Sequence, residues 1–433
     1  MKRGTSARVC IIGAGPSGIT AAKNLLQAGI ENILVYEKGD QVGGNWVYSP
    51  RLSHSSVFET THIISSKTMS EFLDYPMPAD YPDYPSHRQV LAYFQSYARH
   101  FGVEPYIRFN CEVKHAEKNP DDTWNITLAD GTVEAFDYLL VCSGHHWDPR
   151  MPDYPGQFSG EFLHAHDFKS AAPFRDQRVL VIGGGNSACD IAVETSRVSA
   201  FTAISMRRGY YIVPKFIMGY PTDVFSARLA FLPRWLRIPL SWITLRLAVG
   251  APEQYGLQKP DHRILEAHPT ANSELLYFIR HGKVHPRRDI LRFDGQTVHF
   301  VDGRAEDYDT VIAATGFRIT FPFFDRRFLD FSTGDVPLYL RMFHPDHPSL
   351  AFIGLFQPQG AIWPLADLQA RLAASAIAGR YRFPPDIRAR VAREVETTRR
   401  HYLASPRHTL EVEYRPFYKA LEREIPADAV HRT

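Results

Sequence analysis

The 433-residue chain has only four cysteines, Cys10, Cys111, Cys142 and Cys189, and no two of them form a CxxC pair. That spacing excludes a redox dithiol and a zinc knuckle and fits a reducing cytoplasm, the expected location. An excess of one charge is also lacking. With 49 Lys and Arg against 47 Asp and Glu, the formal net charge is +2, so no strong field argues for nucleic acid as a partner. Long apolar runs are missing too. The nearest candidate, 224–250, is broken by Pro233 and Pro239 and carries Arg228, Arg234, Arg237 and Arg246, which excludes a transmembrane span. It reads as two short amphipathic helices, either packed against the protein's own body, the favoured expectation, or in peripheral contact with a membrane. The opening MKRGTSARVCIIG runs from a short basic stretch straight into a strand, leaving no room for a cleavable signal, so export is not expected.

What the chain does have is one design used twice, GAGPSG at Gly13 to Gly18 and GGGNSA at Gly183 to Ala188. Each turn comes after a short apolar run, Val9 to Ile12 and Val179 to Ile182, and precedes a helical pattern. Strand, turn and helix in that order make a dinucleotide site. The first glycine allows the tight turn, the second lets the backbone approach a pyrophosphate, and the third position must be small. The phosphates would rest on the helix N-terminus, where unpaired N–H groups and the dipole favour negative charge.

The residues one crossover beyond each turn distinguish the two sites. After the first, a second apolar run from Ile33 to Val35 leads to Glu37, where a carboxylate can accept hydrogen bonds from an unphosphorylated ribose such as that of FAD or NAD. After the second, the corresponding run Phe201 to Met206 ends in Arg207 and Arg208. Two guanidinium groups there match a 2′-phosphate and point to NADP, the alternative being a solvated strand end.

The fold class expected is α/β, with two Rossmann-like dinucleotide-binding domains and a small antiparallel sheet on the first. A helix fits Arg88 to Phe101, and Val113 to Leu140 alternates around the turn signals Asn119–Pro120 and Asp130–Gly131. The runs Tyr138 to Cys142 and Asp309 to Ala314 each stop at a small-residue turn, as strands re-entering a dinucleotide-binding sheet would. The NADP-type domain is therefore expected as an insertion in the FAD-type domain. The expected boundaries are 1–165 for the first part of the FAD domain, 166–305 for the NADP domain with a helical insertion at about 215–280, and 306–433 for the rest.

Between the two turns the chain reads Phe158-Ser-Gly160-Glu-Phe-Leu-His164-Ala-His-Asp-Phe168. This resembles the FxGxxxHxxx(Y/F) fingerprint of the flavin-containing monooxygenases at every fixed position. GGNW at Gly43 to Trp46, YGL at Tyr255 to Leu257, ATGF at Ala314 to Phe317 and QGAIWPLADLQ at Gln359 to Gln369 also look like family signatures, in family order. The resemblance implies a fixed reaction order. NADPH reduces FAD, the reduced flavin binds O2 at C4a as a hydroperoxide, NADP+ stays to protect it, and a soft nucleophile in a small lipophilic substrate takes one oxygen. Phe168 at the end of the fingerprint looks like the N- and S-oxygenating branch. Baeyer–Villiger oxygenation of ketones, an uncoupled NADPH oxidase and a nucleotide-sensing module are the alternatives, and a homodimer is the expected assembly.

Carried over residue by residue, the resemblance implies that Gly13, Ala14, Gly15, Ser17 and Gly18 hold the FAD pyrophosphate, that Glu37 holds its ribose, and that Asn45 and Trp46 lie along the flavin. Gly183, Gly185, Asn186, Ser187, Arg207 and Arg208 would hold NADPH, with Val113, Thr315 and Gln359 as further cofactor contacts. His164 would brace the linker between the domains. One departure stands out. Where the family has an asparagine facing the flavin, this chain reads Ile63-Ile64-Ser65-Ser66-Lys67. Ile64 cannot donate the hydrogen bond that an amide offers, so Ile64, Ser65 and Ser66 are the candidate catalytic positions, with a serine hydroxyl as the substitute donor.

Overall fold

The structure is a computed structural model and describes residues 4–51, 53–332, 334–402 and 409–427. The chain divides into two units, one formed by Met1–Val47, Ser65–His146 and Arg318–Thr433, the other by Tyr48–Ile64 and Trp147–Phe317.

The first unit is built on a six-stranded sheet with Val9–Ile12 near its middle, flanked in parallel by Ile33–Tyr36 and Tyr138–Val141. All four residues of Val9–Ile12 are buried, as expected of a parallel strand covered on both faces. Ile33–Tyr36 carries Ile107–Arg108 on its outer side, and beyond Tyr138–Val141 lie His347–Phe352 and Phe343–His344. The helix Pro16–Gln27 leaves the first glycine turn and is tied to the helix Trp363–Ile377 by a buried ionic cluster. Lys23 Nζ bridges Asp367 Oδ1 at 2.8 Å and Asp74 Oδ2 at 2.7 Å, while Arg371 Nε holds the other oxygen of Asp367 at 2.9 Å. Burial alone would raise the Asp367 pKa, but the two cations outweigh it and hold the carboxyl below the usual range. The antiparallel strands expected after Val113 form a separate sheet of Val113–Lys118, Trp124–Leu128 and Val133–Phe136. Its apolar face shares a core with Phe321, Phe324, Phe331 and Phe352.

The second unit holds a five-stranded parallel sheet in the order Val284–Arg287, Phe201–Ser205, Arg178–Ile182, Thr310–Ala313, Glu161–His164. The helix Asn186–Ser196 leaves its glycine turn, and a three-stranded antiparallel sheet spans residues 290–307.

Insertion of one dinucleotide unit into the other is thus observed, but its limits differ from those expected. Residues 147–165 and 306–317 belong to the second unit, because Glu161–His164 pairs with Thr310–Ala313, which itself lies beside Arg178–Ile182. The segment Tyr48–Ile64 also joins the second unit. Strand pairing at long range decides membership, and no local signal marks it.

The segment 224–250 does form two helices, Thr222–Arg228 and Arg234–Val249. The longer helix lies against its own unit along one face, where Leu245 is buried and lines a cavity with Tyr210, Ile212 and Leu257, while its other face is exposed. Among the described residues, no helix is long and apolar enough to cross a membrane.

The fingerprint glycine has a steric reason. A Cβ on Gly160 would overlap the Asp309 carbonyl oxygen and the Phe158 ring, at the point where the chain enters the second sheet. Gly160→Ala is expected to cost roughly 1–3 kcal/mol of stability through overpacking. An unchanged thermal midpoint in the flavin-loaded protein would refute this.

Candidate functional site

The first turn is shaped by backbone contact. Gly13 has φ +101°, and a Cβ there would lie 2.8 Å from the Cys142 carbonyl oxygen. A Cβ on Gly18 would overlap the Gly13 carbonyl, so strand and helix approach as closely as the motif requires. Gly15 is the N-cap of the helix Pro16–Gln27 and supplies no side-chain cap, so the helix start, with its dipole, is open to an anion. The Ser143 hydroxyl, on the residue that backs Gly13, is buried without a partner. An orphaned polar atom beside an uncapped helix start fits a bound dinucleotide.

Glu37 ends the strand Ile33–Tyr36 as expected. Its two oxygens accept from the Ala14 N–H at 2.7 Å and the Gly39 N–H at 2.7 Å, which locks the carboxylate to the turn it serves. Ser17 faces Gly354, where a Cβ would overlap its hydroxyl. The turn Gly44–Trp46 is brought against the glycine turn, with the Gly43 N–H donating to the Ala14 carbonyl at 3.1 Å. That places Asn45 and Trp46 beside Gly15, and the Trp46 ring meets Trp363 edge-on at 5.6 Å. Gln359 ends a short strand of this unit, Gln357–Gln359. Val113 starts the antiparallel sheet with its side chain in the same apolar core as Tyr36, so only its backbone could contact a cofactor.

The second turn repeats the geometry. Gly183 has φ +137°, a Cβ on it would lie 2.5 Å from the Ala314 carbonyl oxygen, and Gly185 caps the helix Asn186–Ser196 without a side-chain bond. Ser187 is exposed in the first turn of that helix. The Asn186 side chain is already engaged, accepting from the Ala271 N–H at 2.7 Å, while Thr270 Oγ1 donates to the Gly184 carbonyl at 2.8 Å. Asn186 therefore fastens residues 270–271 over the turn. Thr315 lies in this unit rather than with the flavin turn, and its hydroxyl donates to the Arg150 carbonyl at 2.5 Å.

Arg207 and Arg208 stand just past the strand Phe201–Ser205. Arg207 is exposed. The Arg208 guanidinium lies 5.5 Å from the centre of the Tyr210 ring, and its Nε is buried without a partner. A buried unpaired donor on a cation, one strand from the glycine turn, fits a phosphate.

The Ile64 region divides. Ile64 ends the second unit's segment and is 41% exposed, whereas Ser65 and Ser66 belong to the first unit. The Ser65 hydroxyl bonds that of Ser70 at 2.7 Å. Ser66 is buried at the N-cap of the short helix Lys67–Ser70. The Ser65 hydroxyl is thus engaged locally, whereas the Ser66 side chain makes no cap bond to the helix that it precedes.

A residue missed in the sequence is Lys215. Its Nζ lies 3.5 Å from the Ile63 carbonyl oxygen. Nearby Asp190, on the helix that leaves the second turn, has its carboxyl pushed up to about 6 by burial, with Lys215 and the Asn272 amide opposing. Nothing in the spacing around Lys215 signals this, because its partners are distant in the chain.

The fingerprint histidine is buried. The His166 N–H donates to His164 Nδ1 at 3.0 Å, and burial pushes His164 down to about 4. Phe168 stacks on Phe174 and meets Phe58 edge-on.

The whole chain has the corresponding family pattern. Residues 6–429 match the model described as flavin-binding monooxygenase-like. The chain belongs to the flavin-containing monooxygenase family. Flavin-containing monooxygenase 5 of Homo sapiens is 36% identical over 434 residues, covering 95% of this chain and 81% of the relative. Dimethylaniline monooxygenase [N-oxide-forming] 2 of Rattus norvegicus is 33% identical, covering 88% of this chain and 75% of the relative. Among solved structures, S-allyl-L-cysteine S-oxygenase of Allium sativum superposes with a TM-score of 0.73 at 23% identity over 97% of this chain and 88% of the other. Cyclohexanone monooxygenase of Rhodococcus sp. Phi1 bound to NADP+ gives 0.73 at 16% identity over 97% of each chain. The enzyme is thus an NADPH-dependent oxidoreductase that uses FAD and NADPH.

Two outcomes are expected. Arg207→Ala with Arg208→Ala should weaken NADPH binding far more than NADH binding, since charge-assisted bonds contribute roughly 1.5–3 kcal/mol each. Equal losses for both cofactors in equilibrium titrations would remove the 2′-phosphate assignment. Burial also holds His145 at about 4. Both histidines stay neutral when folded but take up protons below about pH 6.5 when unfolded. Stability is therefore full above that pH and declines as pH falls toward 4. Thermal midpoints that stay level between about pH 6.5 and 4.5 would contradict this.

Proposed function

We propose that the enzyme oxygenates nitrogen or sulfur in a small lipophilic substrate. The reaction takes two electrons from NADPH and divides O2 between substrate and water. The observation that carries this reading is the pair of uncapped glycine turns, each beside an orphaned buried polar atom, Ser143 Oγ in one and Arg208 Nε in the other. The names of the N-oxide-forming relative and the S-oxygenase neighbour support the substrate class, as does Phe168 at the end of the fingerprint.

Bound FAD supplies the redox chemistry, accepting a hydride and activating O2 at C4a. This chain's residues position the cofactors and limit water. The glycine turns and helix starts receive the two pyrophosphates, Glu37 takes the first ribose, and Arg207 with Arg208 takes the 2′-phosphate. His164 and His145 are held neutral near pH 7 by burial, so neither serves as a proton donor at that pH.

A second reading is favoured by one observation. The amide donor is absent at Ile64, and the Ser65 hydroxyl is engaged with that of Ser70, so part of the oxygen can leave as hydrogen peroxide.

One experiment separates these readings. The flavin-loaded protein is reduced anaerobically with NADPH, mixed with O2, and given in turn a thioether, a tertiary amine and a ketone. A persistent spectral species distinct from oxidised and reduced flavin, with sulfoxide or N-oxide near one per NADPH, is expected. Ester from the ketone alone would replace the proposal with Baeyer–Villiger oxygenation, and peroxide equal to NADPH consumed would establish the oxidase. Ile64→Asn should lower the peroxide fraction.

A further inference from the structure

The signature Gln359–Gln369 ends on a glutamine that is fully buried in the helix Trp363–Ile377. Gln369 Oε1 accepts from the Gly354 N–H at 2.9 Å, and its Nε2 donates to the Leu340 carbonyl at 2.9 Å. An amide carries an acceptor and a donor on one planar group, and neither an apolar side chain nor a carboxylate satisfies both partners. In a site without water, losing either bond leaves a buried backbone group unpaired.

Both partners stand at constrained points of the backbone. Leu340 has φ +51° and Arg341, the next residue, +57°, a left-handed conformation that residues with a Cβ keep only where their surroundings enforce it. Gly354 has φ +81°, and a Cβ on it would lie 2.3 Å from Ser17 Oγ. Ser17 belongs to the first turn of the helix Pro16–Gln27. The chain arrives at Gly354 directly from the sheet, with the Ile353 N–H donating to the Val141 carbonyl at 3.0 Å. Gly354 therefore rests on the start of the nucleotide helix, and the Gln369 amide holds it there. Asp367, two residues earlier and so on another face of the same helix, accepts from Thr20 Oγ1 at 2.6 Å and Asn24 Nδ2 at 2.9 Å. One helix thus grips the nucleotide helix directly through Asp367 and, by way of Gly354, at Ser17.

We propose that Gln369 is a positioning residue for FAD, which fixes Gly354 against Ser17 and so sets the helix start on which the pyrophosphate rests. The proposal rests on the assignment of the first glycine turn to FAD. It explains why a signature far along the chain from that turn ends on a buried amide.

The test is the rate at which FAD leaves the loaded enzyme, read as the rise of flavin fluorescence on dilution. Gln369→Leu should release FAD on the order of tenfold faster. Ser17→Ala should also speed release, and adding Gln369→Leu to it should change the rate by less than about twofold, because the amide acts through the placement of that serine. A full effect in both backgrounds would overturn the proposal, since a merely structural amide gives that result. Unchanged release in Ser17→Ala would overturn it at its premise, that FAD rests on this turn, and unchanged release in Gln369→Leu would overturn the coupling alone. Gln369→Glu supplies a readout that a loss of packing does not move. Its protonated carboxyl has a donor and an acceptor as the amide has, whereas the ionised form has no donor for the Leu340 carbonyl. Burial raises the pKa of such a carboxyl, so release should match the unaltered enzyme near about pH 5.5 and outpace it increasingly toward about pH 9. A profile parallel to that of the unaltered enzyme would refute the proposal. Should Gln369→Leu fail to fold, the Gln369→Glu profile decides.

Discussion

Two backbone carbonyls set the limits of this protein's chemistry. The Cys142 oxygen backs Gly13 and the Ala314 oxygen backs Gly183, and in each case a single added carbon would fall within 2.8 Å and 2.5 Å respectively. Because no side chain intervenes, the residues that follow the re-entering strands Tyr138–Val141 and Thr310–Ala313 lie close behind the turns, and the helix after each turn starts without a side-chain cap. The rest of each unit serves that approach. The fully buried strands Val9–Ile12 and Thr310–Ala313 supply the apolar sheet centres, and Lys23, Asp367 and Arg371 fasten the first helix from behind.

Polar groups near the second turn form a more specialised layer. Residues 270–271 are held over it by Asn186 and Thr270, and the neighbouring Asp190, Asn272 and Lys215 link the helix after the turn to the carbonyl of Ile63. This arrangement connects the segment that ends at Ile64 to the nucleotide helix of the same unit. Within the fingerprint, Gly160 and Phe168 are steric and packing requirements, and His164 is buried and neutral.

Much of the site was legible because its signals are local. A glycine at a positive-φ turn, Glu37 one crossover later and Arg207–Arg208 at the equivalent strand end all lie within a single strand, helix and strand unit, where spacing along the chain is spacing in space. The segment 224–250 was legible as two helices for the same reason. Its environment was not, because whether an apolar face is covered depends on what the rest of the chain brings to it. The roles proposed for Ser65 and Asn186 met the same obstacle, since competing hydrogen bonds from Ser70 and Ala271 are invisible until the chain is folded.

The sequence by itself determined that two dinucleotide turns exist and which cofactor each favours, because these rest on strand, helix and strand units whose residues lie fewer than about thirty apart; that one unit interrupts the other was legible only from the order of the turns and the re-entering strand runs. Tertiary structure alone decided where the units divide, how Tyr48–Ile64 joins the second, that Lys215 reaches Ile63, and that the arginine-rich helices keep one face exposed. Those outcomes depend on strand pairings and buried charges that join distant segments, and their energies exist only once the chain has closed around them.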